Sequence, residues 1–145
     1  MQAQFNRMNL LRNILGLVLG LLIGGAINMG IITVGGQFVP PPPGVDVSDM
    51  DSLRESMHLF APRHFLVPFA AHALGTLTGA LVAVLIGASY RMALAFTVGL
   101  FFLLGGIAAA FMLPAPTWFI LADLALAYIP MAWLGGRLGT RLRPG

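Results

Sequence analysis

Cysteine is absent from the 145 residues, and so is lysine. Without cysteine there is no disulfide framework, no thiolate metal site and no thiol chemistry. Charge is scarce as well. Only 9% of residues are charged, against about a quarter in a typical soluble domain. Familiar enzyme signatures are missing too: there is no Gly-x-Ser-x-Gly elbow, no His-Glu-x-x-His and no phosphate loop. His58, His64 and His72 lack a compact ligand spacing, so no metal is expected. Two histidines on one helix do not supply the axial ligands of a haem, so no cofactor is expected either.

What is present is hydrophobic. Apolar residues make up 58% of the chain, and mean hydropathy is +0.88. They lie in four long runs, 14–34, 65–89, 92–113 and 118–136, rather than in amphipathic stripes. That excludes an ordinary soluble domain, a stapled secreted domain and a disordered chain. Each run has the length, roughly 20 residues, that a helix needs to cross a bilayer. A chain with four spans cannot close a barrel, and open strand edges are not tolerated in lipid. The expected fold is therefore an all-α integral membrane protein: one transmembrane domain, a four-helix bundle, with an outer loop over 35–63. The first run follows a basic segment, as a signal peptide would. Its apolar core is too long for one, and it is expected to be a retained helix.

All basic charge rests on eight arginines. Arg7, Arg12, Arg91, Arg137, Arg141 and Arg143 fall on one side if the spans alternate. Arg54 and Arg63 fall on the other, beside Asp46, Asp49, Asp51 and Glu55. The positive-inside rule then puts both termini in the cytoplasm, in a bacterial inner membrane. The arginines suit anionic lipid head groups at that face. Nucleic acid is not an expected partner, because the basic tail holds only three arginines.

The outer loop opens with Pro40–Pro43, a stiff polyproline-like stem. A short helix should follow, with Ser48 or Asp49 as cap and capping-box spacing between Ser52 and Glu55. Met50, Leu53, Met57 and Phe60 form one apolar stripe. Packing on the bundle or at the membrane interface explains that stripe fully, and is preferred to the sharper reading of a lid over a central site.

Small residues recur every fourth position in two spans: Gly16, Gly20 and Gly24 in the first, Gly75, Gly79, Ala83 and Gly87 in the second. This spacing lets helices approach closely in lipid. The partner helix could belong to the same chain or to another copy, and a homo-oligomer or a membrane-complex partner is expected. Pro68 and Pro130 lie inside spans and are expected to kink them.

One acid lies outside the outer loop, Asp123. It sits about 9 Å into the fourth span at the helical rise of 1.5 Å. An ionised carboxylate there must face protein or water. His72 lies about 12 Å into the second span, entered from the same side, and shares a face with Gly75 and Thr76. Asn28 comes to comparable depth from the first span. A His–Asp pair with an Asn donor would satisfy all three. The functional reading of Asp123, His72, Asn28 and Thr76 is a proton relay or small-cation site in a transporter or channel. The competing reading is a polar clasp that fixes helix register in a non-catalytic accessory or scaffolding subunit. In size and helix count the chain is similar to small multidrug transporters and fluoride channels. The similarity stops there. Small multidrug transporters carry their coupling carboxylate in the first helix, which here holds no acid, so no residue role is carried over.

Overall fold

The computed structural model describes residues 2–143, and these are helical without any strand. Four helical units are long and apolar enough to cross a membrane. Helix α1 runs Gln2–Phe38, further at both ends than the apolar run that marked it. In the loop, α2 spans Met50–Ser56 and is followed by two 3-10 turns, Met57–Leu59 and Pro62–Phe65. Helix α3 spans Leu66–Ile86 and α4 spans Arg91–Met112. The fourth apolar run is two helices, α5 (Thr117–Leu126) and α6 (Ile129–Leu142).

Helix α3 is the axis of the bundle and packs on α1, α4 and α6. Its contact with α1 is made backbone to backbone. A Cβ on Gly16, Gly20 or Gly24 would lie 2.7, 2.5 and 2.7 Å from the carbonyl oxygens of Ala83, Gly79 and Gly75. The two ridges therefore meet within one chain, antiparallel. Small residues continue into the rest of the interior: Gly99 lies against Ala132, and Gly135 against Leu77 and Ala80. The core is accordingly dominated by alanine, valine and glycine, and its largest fully buried side chain is Tyr128. Large apolar side chains point the other way. Leu22, Phe101 and Phe111 are 63%, 58% and 87% exposed.

The two prolines act differently from expectation. Pro68 is the third residue of α3, and the helix continues unbroken to Ile86. At that position a backbone N–H has no intrahelical partner to lose, so no interior kink arises. Pro130 does more than kink its helix. It falls in the first turn of α6, and Ala127–Tyr128 between α5 and α6 leave the helical path.

The charged ends are knitted to helix termini. Arg12 donates to the Ile86 carbonyl, and Arg143 donates to those of Leu85 and Gly87. Arg91 donates to the Arg143 carbonyl. Asn13 Oδ1 accepts from the backbone of Ala88 and Ser89. These groups close the C-terminus of α3, where free carbonyls and the helix dipole favour cations. At the opposite end Arg54 does the same for α4, donating to the Met112 carbonyl at 2.9 Å.

Candidate functional site

Asp123 lies on α5 one turn before the helix break, and its side chain is 6% exposed. His72, on α3, approaches it with Nδ1 2.9 Å from Oδ1 and 3.0 Å from Oδ2. The Tyr128 hydroxyl donates to Oδ2 at 2.9 Å. The Tyr128 ring stacks on the His72 imidazole, with centroids 5.7 Å apart. The Tyr128 hydroxyl and the His72 Nδ1 edge both face the carboxylate oxygens. With the Nδ1 edge facing Asp123, Nε2 is the ring nitrogen left for another partner. No hydrogen bond joins Nε2 to protein among the described residues, and the His72 side chain, 23% exposed, lines both cavities described below.

Sequence reasoning missed Tyr128. On a continuous helix, residues five apart point about 140° from each other. Only the break between α5 and α6 turns the phenol back onto Asp123. The available signal was Pro130 two positions on, which leaves the local backbone free to depart from the helix. Gly106 makes room for the ring: a Cβ there would collide with the Tyr128 hydroxyl and ring carbons.

Two cavities meet at this cluster. One lies beneath the 35–63 loop, is called the outer cavity after that loop, and has a volume of about 330 Å³. His72 and Asp123 contribute its deep polar groups, and α4 and α5 supply much of its apolar wall. Val47, Leu53, Met57 and Phe60 of the loop line it from the other side. Three of the four stripe residues thus cover a cavity, whereas Met50 is exposed. The stripe thus packs on the bundle, as preferred from the sequence, and does so over a cavity. Asp49 caps α2 by accepting from Ser52 N–H at 2.8 Å. The expected Ser52–Glu55 box does not form, because Ser52 Oγ accepts from the Asp46 N–H instead. His64 is half-buried and lines the same cavity.

Asn28 does not join the pair. It and Thr76 line a second cavity of about 220 Å³ between α1, α3 and α4, together with His72 and Tyr128. Asn28 Oδ1 and Thr76 Oγ1 are buried there without a hydrogen-bond partner. Depth alone suggested a shared network. Direction around each helix decides otherwise, since His72 turns its Nδ1 edge to α5. No group of three or more histidines and acids capable of holding a metal occurs among the described residues. The chain matches no protein-family model, no curated protein and no solved structure.

Proposed function

We propose that this chain is a small polytopic protein of the bacterial inner membrane that moves protons or a small cation or solute, using the outer cavity and the Asp123–His72 pair. Membrane insertion is supported by the inverted pattern of the bundle. Small residues fill its interior and large apolar ones cover its outside, far beyond the few hundred Å² of apolar patch a soluble monomer carries. Orientation follows the arginines. Six cluster toward the end holding both termini, which is the cytoplasmic face, and Arg54 and Arg63 accompany the loop outside. Arg7, Arg137 and Arg141 are placed to meet anionic lipid.

The observation that carries the transport reading is the position of the pair. The single acid of the four long units lines a cavity together with its histidine partner. A purely structural clasp needs no such cavity. The test is flux into liposomes holding equal folded amounts of wild type and Asp123→Asn. Proton or cation flux at least tenfold lower in the variant is expected, and equal flux overturns the proposal.

A second reading, an accessory subunit or homo-oligomer, rests on the outward face of α1. Gly25, Gly30 and Gly36 meet no atom within 4 Å there. It predicts a complex larger than one chain in mild detergent, and a homogeneous monomer counts against it.

A further inference from the structure

The second cavity is a polar feature that a dry bundle does not explain. Thr76 is 1% exposed, and its hydroxyl has no partner; Asn28 Oδ1 is likewise buried and unpartnered. A buried polar group left dry and unpartnered is destabilising. Both residues line one space of about 220 Å³. Water occupies about 30 Å³ in the liquid, so there is room for several molecules, and polar partners are present to hold them.

His72 lines this space and the outer cavity alike. It is the only titratable side chain common to the two. The titratable groups around it are Asp123 from α5, Tyr128 from the break and, across the outer cavity, His64 from the second 3-10 turn. The residues that α1 and α4 add to the two cavities, Ile32 and Asn28 on one and Phe102 to Leu113 on the other, include none that titrates.

We infer that the cavity between α1, α3 and α4 is a water-holding chamber, and that His72 passes protons between it and the outer cavity. The inference rests on the transport reading above and names the transported species. The step balances simply. Nε2 takes a proton from water on one side, giving an imidazolium paired with the Asp123 carboxylate. It then releases that proton to water on the other side. Nδ1–H stays on Asp123 throughout, so the ring returns to its starting tautomer. Tyr128, donating to the same carboxylate and stacked on the ring, holds the orientation. Asn28 Oδ1 and Thr76 Oγ1 anchor the receiving water.

Two measurements test this. The chain has no native cysteine, so Thr76→Cys gives a single thiol without further engineering. In liposomes it should react with methanethiosulfonate ethylammonium at least tenfold faster than Val84→Cys, whose site is fully buried in the apolar core. Equal, slow reaction of both means a dry chamber and overturns the inference. The second measurement is proton flux through Asn28→Leu/Thr76→Val, which keeps the branching of each side chain and removes both oxygens. Flux at least tenfold below wild type, with melting temperature at or above wild type, is expected. Wild-type flux in this variant overturns the relay. A reactive Thr76→Cys in a protein with no Asp123-dependent flux overturns the transport reading and the relay, and leaves the chamber as bound water.

Discussion

His72 Nδ1 sits almost equidistant from the two oxygens of Asp123, 2.9 and 3.0 Å, across 51 positions of sequence. The carboxylate also accepts the Tyr128 hydroxyl, so removing it strands two donors at once. Asp123→Ala should lower stability by about 1–3 kcal/mol for a stranded buried donor. Asp123→Asn keeps an acceptor and should cost less. Chemical unfolding of both variants in one detergent measures the difference.

The α1–α3 contact depends on the absence of side chains. In Gly20→Ala the new methyl would sit 2.5 Å from the Gly79 carbonyl oxygen, a backbone atom that cannot swing aside. The helices must separate, and overpacking of this kind costs about 1–3 kcal/mol. Gly30→Ala is the control, since nothing lies within 4 Å of its Cβ position. It should be neutral or stabilising by up to about 1 kcal/mol through helix propensity. The thermal unfolding midpoint should fall in Gly20→Ala and stay level or rise in Gly30→Ala.

Gly106 acts at a distance on the pair. An alanine there meets the Tyr128 ring and hydroxyl and should push the phenol off Asp123. Gly106→Ala should then resemble Tyr128→Phe in stability and flux. The double variant should be less damaging than the sum of the two, with a coupling of about 0.5 kcal/mol or more. Additive effects would mean that Gly106 acts through another contact.

The loop carries a pH-sensitive clip. Asp46 accepts from the Ser48 hydroxyl at 2.6 Å and from its N–H at 2.9 Å. These bonds hold its carboxyl below the ordinary value of 3.8. A lowered folded-state pKa means the contribution is fully present above the ordinary value. It is lost as the pH falls through the folded value beneath it. Proteolysis of the loop should therefore rise below about pH 4. Asp46→Asn should show raised cleavage already at pH 7, with a weaker acid dependence, when fragments are followed with an acid-tolerant protease.

Helix number and approximate limits were legible because they depend on local quantities. Run length, small-residue spacing and the sorting of arginines from acids can all be read along the chain. The structure extends α1 to Gln2 and divides the last run at Tyr128, which are adjustments at ends and at a proline. The site was legible only in part. Asp123 and His72 stand out because a titratable group in an apolar run must be accommodated. Tyr128 resembled any other aromatic, since nothing in its local sequence announces where a broken helix will aim it.

The sequence by itself determined four span-length helices and the residues that would be costly inside them. Hydrophobic length and helical period are properties of contiguous residues, and no partner is needed to see them. The tertiary structure alone decided who meets whom. It set Tyr128 on Asp123, Asn28 and Thr76 beside a separate chamber, and the loop stripe over the outer cavity. Those pairings depend on the rotation of each helix about its own axis. The close glycine contacts set that rotation between α1 and α3, and the break before Pro130 sets it between α5 and α6.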